Sequence, residues 1–250
     1  MKYRGEHKDK FVFVVFSPNY TPAMEISFKH ALEYGIECIW IRHVQSDYIL
    51  PIPTLRESIK VRELKSDERF LESFLYEECR LIDPKALFVI AASDEIFTPE
   101  IFQKIIEMSE IGGISWESVG INRIWVKKRK NDWFFSNLAS KDGFDIQYRI
   151  FSPYHTRALR KVHTPGFKLR GKRSLIDGAH IIHLDWHENS LEKRRNKLLY
   201  YEQLQRGQFV SKFRYYLPEC FTEIEQDWQV VPYSVRDCLY EYEACFNRSN

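Results

Sequence analysis

Two adjacent carboxylates, Asp94 and Glu95, stand two residues beyond the apolar run 86–91, after Ala92 and Ser93. Carboxylates side by side at the end of a buried strand are well placed to hold a divalent cation, and such a cation neutralises a phosphate. A second feature is a stretch without acidic residues, in which Arg157, Arg160, Lys161, Lys168, Arg170, Lys172 and Arg173 succeed one another. In a chain of nearly balanced charge such a stretch binds an anion such as a diphosphate, or is a solvated loop. The third is the trio His180, His183 and His187. The last two share a face only in a helix, whereas the β-branched Ile181 and Ile182 favour a strand ending near His183, a spacing that suits a zinc pair poorly.

These groups depend on the elements that carry them. Residues 86–91, introduced by Asp83-Pro84, read as a strand buried on both faces, and Thr98 caps a helix that starts at Pro99 and repeats Ile101, Ile105 and Met108 at helical spacing. The expected order is strand, acidic loop, helix. Upstream, residues 11–16 form a strand, 17–22 break it, 23–34 form a helix stopped by Gly35, and 36–41 form the next strand. Residues 42–65 show loop chemistry without a clear period. From Ser66 onward Phe70, Leu71, Phe74, Leu75 and Cys79 share one helical face. Strands alternating with helices predict an α/β fold with a mostly parallel central sheet flanked by helices.

After Gly112-Gly113 the pattern becomes β, a mixed region in the second half of the chain. Strands 119–126 and 133–135 are joined by the charged stretch 127–132, and in 144–151 Phe144, Ile146, Tyr148 and Ile150 alternate with Asp145, Gln147, Arg149 and Phe151. The polar face of that strand lines a cleft or meets solvent. Asn189 is then expected to cap a helix, with Glu192 completing a capping box, Leu191, Leu198, Tyr201 and Leu204 inward, and Arg206-Gly207 as its end. An aromatic segment, 209–217, and an amphipathic helix with Val235, Leu239, Tyr242 and Phe246 form a helical tail read as packing or partner contact, with nothing catalytic in it. The expected division is a domain over 1–207 with an extension, 208–250, packed on it.

Composition removes several classes. In 250 residues, 44% apolar and 15% aromatic content exclude a disordered chain and allow a sizeable core. Lys plus Arg number 37 against 35 for Asp plus Glu, so no overall field draws nucleic acid. The apolar run 11–16 is too short for a signal-peptide core or a transmembrane segment. The five cysteines are odd in number and form no CxxC pair, which predicts free thiols in a reducing compartment, with the cytoplasm as the expected location.

Four stretches, Phe16-Ser-Pro-Asn-Tyr20, Ala92-Ser-Asp-Glu95, Phe144-Asp-Ile-Gln-Tyr-Arg-Ile-Phe151, and Ile181-Ile-His183 through Ser190 to Tyr201, occur in an order that resembles the family 2 glycosyltransferases of GT-A fold. The resemblance spans residues 11–205 and is to the bacterial branch that builds lipopolysaccharide and other surface glycans. It implies a GT-A-like sheet, a nucleotide-diphosphate sugar donor, a glycan or lipid-linked acceptor, and a cytoplasmic enzyme peripheral to the inner face of a membrane. It also implies a divalent cation, Mn2+ or Mg2+, held by Asp94 with His183 as second ligand. Asp145 is the expected base and Glu95 its competitor. Ser17, Pro18, Asn19, Ser93, Arg149 and His163, with Arg160, Lys161 and Arg170 of the basic stretch, are the expected substrate-binding residues. Ala92 stands where the family's motif has its first acidic residue, and Arg42-His-Val-Gln-Ser46 replaces its acidic nucleotide signature. Two alternatives therefore stand beside it: an inactive transferase-like binding module, and a metal-dependent phosphoesterase using Asp94 and the scattered histidines His155, His163, His180, His183 and His187.

Overall fold

The computed structural model of the chain describes residues 10–44, 52, 57–65, 71–111, 118–136, 145–153, 156–158, 167–169, 173–204, 206–207, 213–222 and 227–249. The first half alternates: β1 (Phe11–Ser17), α1 (Pro22–Glu33), β2 (Glu37–His43), β3 (Ile59–Leu64), α2 (Leu71–Ile82), β4 (Leu87–Ala92), β5 (Glu95–Phe97) and α3 (Pro99–Glu110). The second half holds β6 (Ser118–Arg129), β7 (Asp132–Ser136), β8 (Asp145–Phe151), β9 (Thr156–Ala158), β10 (Phe167–Leu169) and β11 (Arg173–His183). It closes with α4 (Asp185–Glu188), α5 (Leu191–Leu204), β12 (Gln229–Val230) and α6 (Tyr233–Ser249).

Strand β1 shows why the sheet is covered on both sides. Its β-branched and aromatic residues suit a pleated, buried surface. Phe11, Phe13 and Val15 turn to one face and pack with Met24 and Phe28 of α1 and with Ile101, Phe102 and Ile105 of α3. Val12 and Val14 turn to the other and pack with Leu75, Tyr76 and Cys79 of α2. Each such side chain, removed from water, contributes about 1.5–3 kcal/mol to stability before the entropy of ordering is subtracted.

The strand order β3-β2-β1-β4 is parallel throughout; β8 then runs antiparallel on β4, β6 on β8, β7 on β6 and β12 on β7. Strand β11 lies parallel to β6 and antiparallel to β5, so that His183 is paired with both Trp125 and Glu95. The fold is α/β with a large mixed sheet, a mostly parallel core and a helical C-terminal region, as the alternation of elements predicted. Strands β9 and β10 form a separate antiparallel pair. Among the described residues no helix is long and apolar enough to cross a membrane, and the five cysteines are free thiols.

Several local expectations change. The stretch read as loop contains β3, an edge strand whose alternation is blurred by exposed Lys60, Arg62 and Glu63. Strand β5 intervenes between the acidic turn and α3, because Ser27 of α1 accepts from Phe97 N–H at 3.0 Å and donates to Glu95 O at 3.2 Å. Lys127–Arg129 continue β6, and the hairpin turn is tightened to Lys130, at φ 57°, and its neighbour. Helix α5 is capped by Ser190, whose Oγ accepts from Lys193 N–H at 3.2 Å, while Asn189 ends α4. Leu191 and Phe246, expected inside, are exposed.

Gly120 lies where β6, β8 and β11 crowd together. A Cβ there would stand 2.6 Å from Ile146 Cγ2 and 2.8 Å from Leu175 Cδ2, and the first of these is tied directly to a backbone-proximal carbon. Gly120→Ala is expected to destabilise the chain by about 1–3 kcal/mol through overpacking, read as a lower urea midpoint. An unchanged midpoint would show that the three strands can separate at no cost.

Candidate functional site

From β1 the sheet continues to β2 on one side and to β4 on the other, so the carboxyl ends of these strands form a switch point of the kind where open α/β sheets bind ligands. The turn after β4 is pinned there by its main chain. Thr21 Oγ1 donates to Ser93 O at 2.6 Å, Leu184 N–H donates to Asp94 O at 2.8 Å, and Ala92 N–H donates to Glu95 Oε2 at 3.0 Å. The side chain of Asp94, 18% exposed, stands with Oδ2 3.7 Å from His183 Nε2.

Glu95 faces the protein interior. It is fully buried, and its Oε1 accepts from Arg123 Nη1 at 3.0 Å and from Arg149 Nη2. Asp145 at the start of β8 accepts from Arg123 Nε at 2.7 Å, Trp125 Nε1 at 2.8 Å and Gln147 Nε2 at 2.6 Å. Burial pushes both carboxyls up, but the arginines outweigh it and hold them below the ordinary carboxylate range. Both residues expected as proton acceptors are therefore paired anions of low basicity. Arg149, expected to bind substrate, is paired with Glu95, and the polar face of β8 points into this buried network.

His183 is buried between Trp125, at 4.0 Å between ring centroids, and the Asp94 turn. Burial, and then the charge of Arg123, lowers its pKa to about 3, so the ring is neutral at pH 7. Its Nδ1 accepts from Asp185 N–H at 3.4 Å, which leaves the ring proton on Nε2, facing Asp94. A cation at Nε2 would require that proton to move to Nδ1 at the expense of the Asp185 contact. Among the described residues, moreover, no three His, Cys, Asp or Glu side chains group to hold a metal ion. This donor set does not suit the divalent cation that the resemblance implies. His187 belongs to another cluster, edge-on to Trp133 at 4.5 Å, and His180 is half-buried earlier on β11.

A further positive charge comes to this region from helix α5. Lys197 Nζ lies 3.3 Å from Asp185 Oδ1 and 5.1 Å from the centre of the Tyr216 ring. Burial works against its charge, yet Tyr216, Asp185 and Asp94 together raise its pKa well above the ordinary value. Its side chain is 34% exposed, and its ammonium is fixed by Asp185. Arg194, one turn earlier and buried, holds the wall opposite: it donates to Tyr216 O at 2.7 Å and forks onto Glu219 at 3.0 and 2.6 Å. Trp186 Nε1 donates to Tyr215 O at 2.6 Å. The segment around 213–220, expected as packing or partner contact, thus forms one side of the site.

Glu188 ends α4 at the same place. The residue reaches solvent, while protein encloses its carboxyl, and Oε1 accepts from Tyr242 Oη at 2.9 Å. This enclosure, with the fields of Asp94 and Asp185, pushes its pKa up to about 7.

Of the other expected residues, Ser17 is buried and its hydroxyl is spent on Asn19, donating to its carbonyl and accepting from its N–H, while Pro18 and Asn19 are exposed after β1. Ser93 is part of the pinned turn. Arg160, Lys161, His163 and Arg170 lie outside the described residues. Arg123, Asp185, Glu188, Lys197 and Tyr216 were not singled out as site residues from the sequence. A signal existed for one of them: Lys197 recurs with Arg194, Leu198 and Tyr201 at i, i+3, i+4 and i+7, a helical face with cations inside. No protein-family model matches the chain, and no curated protein matches it.

Glu95→Gln leaves Arg123 and Arg149 in a buried site short of one counter-charge and is expected to destabilise the chain by about 3–5 kcal/mol in urea unfolding. A loss under 1 kcal/mol would contradict the structural part given to this carboxylate. His183 also sets a pH dependence. The unfolded chain takes up a proton near pH 6.5 that the native ring refuses down to about 3, so this contribution is complete above 6.5 and is lost as pH falls through that window. In His183→Gln the decline of the urea midpoint between pH 6.5 and 3 is expected to be shallower than in the native chain.

Proposed function

We propose that the chain is a glycosyltransferase that moves a sugar from a nucleotide-diphosphate sugar to a glycan or lipid-linked acceptor. The observation that carries this reading is the Asp94 turn, locked at the carboxyl end of β4 beside β1, with Lys197, Asp185 and Glu188 brought to it by α4 and α5. A parallel β3-β2-β1-β4 core followed by an antiparallel β8 supports the GT-A resemblance stated from the sequence, although fold alone never names a reaction.

The charge problem of such a transfer is the diphosphate that accumulates negative charge as the glycosyl bond breaks. A preorganised cation in a water-poor site lowers that barrier. In this reading Lys197 meets the departing phosphate, Asp94 orients the sugar hydroxyls, and the β1 carboxyl end with Asn19 borders the nucleoside. No step is assigned to a metal, because the donor set around Asp94 is unsuited to one.

The test is thermal unfolding against UDP, GDP, ADP, CDP and TDP, each with EDTA and with manganese. A ligand that binds only the native state raises its stability by mass action. One nucleotide is expected to raise the midpoint equally under both conditions, and Lys197→Met to abolish the rise. Absence of any rise at saturating nucleotide would favour the second reading, a transferase-like binding module, which the full pairing of Glu95 and Asp145 supports.

A further inference from the structure

We infer that Glu188 is the proton acceptor for the attacking hydroxyl and that Tyr242 is its positioning residue; this rests on the transferase reading above. Five carboxylates stand around the Asp94 turn. Glu95 and Asp145 are bound to arginines, and Asp185 is fully buried against Lys197 and Asn189. Asp94 faces the His183 ring and is the residue of the turn itself. Glu188 makes no ion pair among the described residues, reaches solvent, and has one oxygen held by the Tyr242 hydroxyl at 2.9 Å. A carboxylate whose Oε1 is fixed in this way presents Oε2 to an incoming group.

The step balances without a further reactant. The acceptor oxygen forms its bond to the anomeric carbon while its proton passes to Glu188; the bond from that carbon to the phosphate oxygen breaks, and its electron pair leaves with the diphosphate. A base whose pKa lies near the working pH combines availability with driving force, and the enclosure of Glu188 places it there. The charged and titratable groups that face it are Asp94 from the turn after β4, Asp185 on α4, Lys197 on α5 and Tyr242 on α6. The Tyr242 hydrogen bond favours the ionised carboxylate, opposing the three other influences that raise its pKa.

The experiment follows release of nucleotide diphosphate from UDP-glucose, UDP-galactose, GDP-mannose and TDP-glucose with water as acceptor, in the native chain, Glu188→Gln and Tyr242→Phe. Midpoint shifts by the matching free nucleotide are measured alongside. Glu188→Gln is expected to keep the nucleotide-induced shift, to lower release at least about 100-fold, and to lose the limb of the rate–pH profile near 7. Tyr242→Phe is expected to move that limb to higher pH, an effect that a merely structural contact would not produce. Release at the native rate by Glu188→Gln, or an unmoved limb in Tyr242→Phe, would overturn the assignment while leaving the donor site intact. Absence of both release and a nucleotide-induced shift in the native chain would overturn the transferase reading itself.

Discussion

The buried carboxylate of Glu95 ties together more of this molecule than any other single side chain. One oxygen closes the turn at Ala92, and the other receives guanidinium groups from β6 and β8. Four strands of the architecture, β4, β5, β6 and β8, are joined through it. Charges are rarely placed so deep, because the cost of stripping their water exceeds the attraction unless hydrogen bonds fill every remaining lone pair. Here most are filled: Asp145 accepts from Arg123 Nε, Trp125 Nε1 and Gln147 Nε2, while Arg149 Nε stays buried without a partner among the described residues. The return on that arrangement is a turn whose main chain has one geometry, with Asp94 as its projecting residue.

Around that fixed turn the remaining groups divide by what surrounds them. His183 is kept neutral by burial, Lys197 is kept charged by its acidic and aromatic neighbours, and Glu188 is left near its midpoint by enclosure. Similar residue types in one small region thus acquire different proton affinities, which is how a protein separates acid, base and counter-charge at one pH.

The helices and parallel strands were legible because each carries a local period: β1 buries two faces, α2 one stripe, and Gly35 stops α1 with φ +70°. Strand β3 was not, since an edge strand with charged residues loses the alternation that marks it. The position of Asp94 at a strand end was also readable. The roles of Asp145 and Glu95 were not, because nothing local reveals that two arginines, 28 and 54 positions past Glu95, come back to neutralise it. Tyr216 and Glu188 were hidden for the same reason: their partners, Arg194, Lys197 and Tyr242, are brought to them by tertiary packing alone.

The wall built by residues 213–220, and the contact of Tyr242 with Glu188, bear on how the molecule matures. The sheet apart from its edge strand β12, the Asp94 turn and helix α5 are all encoded before residue 205, so a chain emerging from the ribosome can assemble them first. At that stage Arg194 lacks Glu219 and Glu188 lacks its hydroxyl partner. The fold precedes the site in time, and a nascent chain acquires its full constellation of side chains only after α6 has emerged and docked against α1 through Lys29 and Glu241.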